Sequence, residues 1–188
     1  MKNPSELLKL YLSEQIALEE HLCSVIETQL SDISELDFAD AKKLLQKTQT
    51  ALERHYAPLN ELLDKLDSDA LKARTKVVAS NGEAMKSPLN FKEQRIKTSR
   101  MLRDDYSALN LITISNARLH TTALALNSLD IAATALKHLE NLAPYVLKME
   151  EMVPDVVTRE LRSQSPEIDL AIAKQALDNT KGVWRRVI

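Results

Sequence analysis

Residues 3–36 read NPSELLKLYLSEQIALEEHLCSVIETQLSDISEL, and this stretch decides the fold class. Asn3 is a helix-capping residue type, Pro4 suits a first helical turn, and Glu6 can reach back to complete a capping box. Beyond that start Leu7, Tyr11, Leu18, Leu22, Val25, Ile26 and Ile33 recur with a helical period. The spacing predicts one helix running to about Leu36, roughly 45 Å long at 1.5 Å per residue.

The rest of the chain repeats the pattern. Asp37-Phe38-Ala39-Asp40 starts a second helix with Ala41, Leu45, Leu52, Leu59, Leu62 and Leu66 as its stripe, and Pro58 inside it is expected to kink it or leave a carbonyl unpaired. A third helix is expected from about Lys97 to Leu126 and a fourth from Ile131 to about Arg162. The division between them falls at Asn127-Ser128-Leu129-Asp130, where neither Gly nor Pro marks a turn. Pro144 and Pro154 are expected to bend or split the fourth helix. Ser165-Pro166-Glu167 then opens a short fifth helix ending near Lys181-Gly182, followed by a tail that carries Trp184. Only 2 Gly and 6 Pro occur in 188 residues, too few for many tight turns and hairpins.

Residues 68–97 are the least regular, with turn signals at Ser80-Asn81-Gly82 and Ser87-Pro88-Leu89-Asn90. A connection of this length exceeds what an antiparallel neighbour needs and suits a crossover along the bundle. Ferritin-like bundles carry one such crossover, between the second and third helices. The expected architecture is an all-α, antiparallel four-helix bundle of ferritin-like type over residues 1–164. Residues 165–188 then form a short C-terminal helix and tail that pack on the bundle or on a partner.

A formal net charge of -2 offers no global excess for nucleic acid or an anionic membrane. The lone cysteine, Cys23, excludes an intramolecular disulfide. The N-terminus lacks an apolar signal core and charges interrupt every long apolar stretch, so the expected compartment is cytoplasmic. A basic run, Lys86, Lys92, Arg95, Lys97, Arg100 and Arg103, reads as a solvated helix face, and Asp104 and Asp105 follow it directly. Trp184 beside Arg185 and Arg186 combines residue types enriched at interface hot spots, so the tail either docks on its own bundle or meets a protein partner. Long helix faces and the prevalence of two-fold closure make a homodimer the expected oligomer.

Bundles of this class hold two metals with a Glu from each of two helices and Glu-x-x-His from each of the other two. The stripe Leu7, Tyr11, Glu14, Leu18, His21, Val25 directs Glu14 and His21 inward. Leu45, Thr48, Leu52, His55, Leu59 directs His55 inward, and Leu102, Tyr106, Leu109, Thr113, Asn116, His120 does so for His120. His21 and His55 sit near their helix midpoints and share a layer, whereas His120 is about 8–10 Å off along the axis. No Asp or Glu occurs between Asp105 and Asp130, and Leu52, Ala117 and Ala135 stand three residues before His55, His120 and His138. These positions do not supply the anionic oxygens of a standard di-iron centre. The simplest reading of the histidines is as core or boundary residues hydrogen-bonded to Asn116, Thr or Tyr neighbours. The alternative is a mononuclear or degenerate metal site of Glu14, His21, Glu53 and His55. Cys23 falls on a different helix face from His21, and no Gly-rich phosphate loop is present, so nothing recommends a hydrolase or nucleotide enzyme.

Tyr11-Leu12-Ser13-Glu14-Gln15, followed later by Leu52-Glu53-Arg54-His55, resembles the YciF-like branch of the ferritin-like superfamily. Leu119-His120-Thr121-Thr122-Ala123 and Ala135-Leu136-Lys137-His138-Leu139 resemble the second helical pair of related bacterial ferritin-like proteins. The resemblance covers most of residues 5–160 through short motifs. It implies an oligomeric, stress-associated bundle with metal ligands in some members, and Glu14 and His55 as the best-matching ligand positions. Two functions are therefore expected in turn. The first is a non-enzymatic, cofactor-free ferritin-like bundle that acts through self-association or partner binding. The alternative is a metal-binding protein with a degenerate, His-rich site for iron, manganese or zinc and an iron-handling or oxidase role.

Overall fold

The computed structural model describes residues 4–33, 37–66 and 98–184. These form five α-helices: α1 (Pro4–Asp32), α2 (Ala39–Leu66), α3 (Thr98–Ala125), α4 (Leu129–Arg162) and α5 (Ala171–Trp184). Among the described residues there is no strand. The chain is an all-α helical bundle, and no described helix is long and apolar enough to cross a membrane. The expected cap at Asn3, the crossover over 68–97 and the tail beyond Trp184 lie outside the described residues, as does the basic run before Thr98.

Several boundaries differ from the expected ones. α1 ends at Asp32, short of Leu36, and α4 starts at Leu129 rather than Ile131. α4 runs unbroken through Pro144 and Pro154, and α2 through Pro58. α5 starts later than Ser165, at Ala171, where Asp169 Oδ1 accepts the Ala171 N–H at 2.9 Å, and it carries on past Gly182. The turn between α3 and α4 dispenses with glycine because Asn127 takes the left-handed conformation, at φ 57°. Asn127 N–H then donates to Leu124 O at 3.1 Å and Ser128 N–H to Ala123 O at 2.8 Å. This Schellman pairing satisfies the last carbonyls of α3, and asparagine is the side chain that best tolerates the geometry after glycine.

α1 packs on α2 and α3, α4 packs on α2 and α3, and α5 lies on α4. Buried side chains gather into two apolar clusters. One joins Leu22 and Ile26 of α1 with Ala41 and Leu52 of α2, Leu102 and Ile112 of α3, and Leu142 and Met149 of α4. The other joins Leu12 and Ile16 with Leu59 and Leu63, Leu119 and Ala123, and Ile131 and Ala135. The first residues of α2 and α3 thus share one cluster and their last turns share the other. Lateral pins reinforce the packing. Glu160 of α4 accepts Ser99 N–H at 3.0 Å and Ser99 Oγ–H at 2.6 Å, placing a carboxylate on the free amides at the start of α3. Arg159 reaches Asp40 at 2.7 Å and the Asp37 carbonyl at 2.8 Å, holding the start of α2 against the end of α4. α5 is held by Lys181 to Glu151 at 2.5 Å and buries Ala173.

One pin between α1 and α3 titrates. Gln29 Nε2 donates to Asp105 Oδ1 at 3.1 Å, while Asp105 Oδ2 and Gln29 Oε1 are both buried without a partner. Burial pushes the Asp105 carboxyl up to about 7, with the Gln29 bond offsetting part and Asp104 adding to it. A proton on Asp105 converts one of two unmatched acceptors into a donor, so the neutral acid suits this contact better than the carboxylate. The unfolded carboxyl ionises near 3.9, so the folded state loses stability as pH rises from there through about 7. Asp105→Asn keeps the neutral pairing at all pH values. It is expected to match the wild type below pH ~4 and to exceed it by about 1–3 kcal/mol at pH 8, as measured by urea unfolding.

Candidate functional site

The two apolar clusters leave a gap one layer deep, and each long helix fills it with a polar residue. Glu19 lies between Ile16 and Leu22 of α1, and His55 between Leu52 and Leu59 of α2. Asn116 lies between Ile112 and Leu119 of α3, and His138 between Ala135 and Leu142 of α4. All four are buried, at 0%, 2%, 0% and 3% exposure respectively.

Glu19 is the centre of this layer. Its Oε1 accepts Gln15 Nε2–H at 2.6 Å, and its Oε2 lies 3.0 Å from His55 Nδ1. With Nδ1 donating to the carboxylate, His55 Nε2 is left to accept from Asn141 Nδ2 at 3.4 Å. Tyr56, the next residue along α2, donates its hydroxyl to the Glu19 carbonyl at 3.3 Å. The rings of His55 and His138 stack, with centroids 3.6 Å apart and planes 5° from parallel. His138 Nδ1 is buried without a hydrogen-bond partner. Burial, then the neighbouring His55 and Lys137, lower the His138 pKa to about 3, so the ring is neutral at physiological pH. A neutral imidazole with a free nitrogen is the ligating form of histidine.

Glu19, His55 and His138 each offer one ligand atom, and these atoms lie within 4.8 Å of one another. This trio, two imidazoles and a carboxylate from three different helices, is the chemistry of a borderline divalent ion. Of the four ligands expected from the sequence only His55 belongs to it. Glu14 pairs with Arg118 of α3, whose guanidinium lies 3.9 Å over the Tyr11 ring. His21 is half-buried and Glu53 is exposed, its Oε1 3.9 Å from the buried Cys23 thiol. Burial, chiefly, raises that thiol above its ordinary pKa and keeps it protonated. His120 is half-buried and bonds through Nδ1 to the Ala132 carbonyl at 2.8 Å, a structural histidine at the α3–α4 turn.

Glu19 and His138 were missed for different reasons. Residues 12–19 of α1 are all buried except Glu14, so the helix shows no single apolar stripe. The stripe that enters the layer, Leu8, Leu12, Ile16, Glu19, Cys23, Ile26, is turned by one residue from the one read. His138 was legible: Ile131, Ala135, His138, Leu142, Met149 and Val156 form a buried stripe of helical period.

Comparison with protein-family models, with curated proteins and with solved structures returned no significant match.

The neutral His138 gives the fold an acid sensitivity. An unfolded histidine takes up a proton near pH 6.5, but the folded ring does so only near 3, so acidification between those values favours the unfolded chain. Between pH 7.5 and 5 the wild type is expected to lose about 1–2 kcal/mol more than His138→Leu, compared by denaturant unfolding at both pH values.

Proposed function

We propose that this chain is a ferritin-like bundle that binds a single divalent transition-metal ion, zinc or ferrous iron in class, through Glu19, His55 and His138. The carrying observation is the buried trio of ligand-type side chains between the two apolar clusters. Its arrangement supports a ferritin-like reading. α1 contributes a Glu, while α2 and α4 contribute His55 and His138, each three residues after the position where that class carries a bridging Glu. Here those positions are Leu52 and Ala135, and α3 offers Asn116. With three of four carboxylates replaced, the layer has the charge for one ion rather than two. An antiparallel arrangement is supported by the cross-contacts: Glu14 meets Arg118 while Gln29 meets Asp105, and His55 meets Asn141 while Asp40 meets Arg159. α2 ends and α3 begins at opposite ends of the bundle, as a single long crossover requires.

Each imidazole lone pair lies in its ring plane, so one ion cannot serve two parallel stacked rings. Binding would therefore turn one ring out of the stack, and for His55 to ligate through Nδ1 the proton it now donates to Glu19 Oε2 at 3.0 Å would have to move to Nε2. When bound, the ion supplies Lewis acidity in a dry layer. The residues hold it, exclude water and keep His138 unprotonated for it.

The test is plasma mass spectrometry of untagged protein after anaerobic loading with ferrous iron, manganese or zinc and dialysis. One equivalent per chain is expected in the wild type and less than a tenth of that in Glu19→Gln and His138→Ala. Absence of bound metal in the wild type overturns the reading.

A second reading, self-association as a homodimer, rests on a separate observation. Leu111 and Ile114 of α3 and Leu136 and Leu147 of α4 are exposed, Ile114 at 68% and Leu147 at 60%. Exposed Leu and Ile on two neighbouring helices offer apolar area to a second copy. Light scattering at micromolar concentration is expected to give a dimer mass that Ile114→Glu with Leu147→Glu halves, and a monomeric wild type refutes it.

A further inference from the structure

Asn116 is the residue of the polar layer that the trio leaves unexplained. It is fully buried, lies on the inward stripe of α3 and sits between Ile112 in one apolar cluster and Leu119 in the other. Its Nδ2 donates back to the Ile112 carbonyl at 3.3 Å. This bond, with the tilt of helical side chains toward the N-terminus, carries the carboxamide over the turn before it. Two independent pairings locate that turn. Glu14 opposite Arg118 and Gln29 opposite Asp105 bring Glu19 level with the residues just before Asn116. On the other side, His120 against Ala132 brings His138 to the same level.

The carboxamide oxygen, Asn116 Oδ1, has no hydrogen-bond partner, and neither has His138 Nδ1. Two orphaned polar atoms in one buried layer are both met at once by a shared ligand. An amide oxygen is a hard, neutral donor, acceptable to a divalent ion beside imidazole and carboxylate.

We infer that Asn116 Oδ1 is the fourth protein ligand, completing a set of two imidazoles, one carboxylate and one amide with one donor from each long helix. The inference rests on the proposed metal site and adds to it the coordination number and the net charge. With two neutral imidazoles and a neutral amide, Glu19 alone supplies negative charge. The loaded layer then carries a net single positive charge and favours a small anion, such as hydroxide or chloride, at any further position on the ion.

Zinc titration of the full-length apo protein by calorimetry, with the visible absorption of the cobalt(II) form, tests this. Asn116→Asp, which keeps the shape and adds a charge, is expected to bind zinc at least tenfold more tightly. Asn116→Leu is expected to bind at least tenfold more weakly and to change the cobalt absorption. Far-UV circular dichroism checks that each variant is folded, and if Asn116→Leu is not, Asn116→Asp decides alone. Unchanged affinity and cobalt spectrum in Asn116→Asp overturn the inference while leaving the trio standing. A wild type that binds neither ion overturns both, and metal content separates the two failures.

Discussion

The rest of the structure depends on a buried carboxylate. Glu19 lies at the middle of α1 with no exposure to solvent, flanked by the two apolar clusters. An isolated carboxylate there would cost several kcal/mol, and its two oxygens are met by Gln15 and His55. Satisfying it constrains the bundle. α2 must present His55 at the same height, the ring stack then fixes the position of α4 through His138, and α3 closes the layer with Asn116. Glu19, His55 and His138 tie the register of α1, α2 and α4, and Glu14–Arg118 and Gln29–Asp105 tie α3 to α1.

That layer also makes the core two cores. Leu, Ile and Met fill the cluster toward Ile33 and Met149, and smaller residues, Ala123, Ala132 and Ala135, narrow the cluster at the other end. Each end carries its own lock: Arg159 and Glu160 at the end of α4, and the Asn127 turn between α3 and α4. The proposed metal would occupy the polar layer between the two clusters.

The helix count, the approximate spans and the dominance of Leu, Ala and Glu were legible because amphipathic period and scarce glycine are strong signals. α2 could be read to the residue: Leu45, Thr48, Leu52, His55 and Leu59 are all buried as their spacing predicts. α1 could not, because its middle is enclosed nearly all round and a stripe has no edge to find; Glu14 and His21 were read as inward for that reason. The turn at Asn127 was placed correctly but its mechanism was not, since a left-handed asparagine leaves no Gly or Pro in the sequence. Chain-order reasoning also cannot show that Leu52 and Ala135, three residues before their histidines, mark one layer; that needs α2 and α4 side by side.

The short, asparagine-locked turn joins α3 to α4 through local contacts, and another brief connection joins α1 to α2. Local contacts form fast, and contacts distant in sequence form later. Each helical pair carries half of the polar layer: Glu19 with His55, and Asn116 with His138. Neither half is complete until the pairs dock, so an ion held there would act as a clasp between two halves of the chain that lie far apart in sequence.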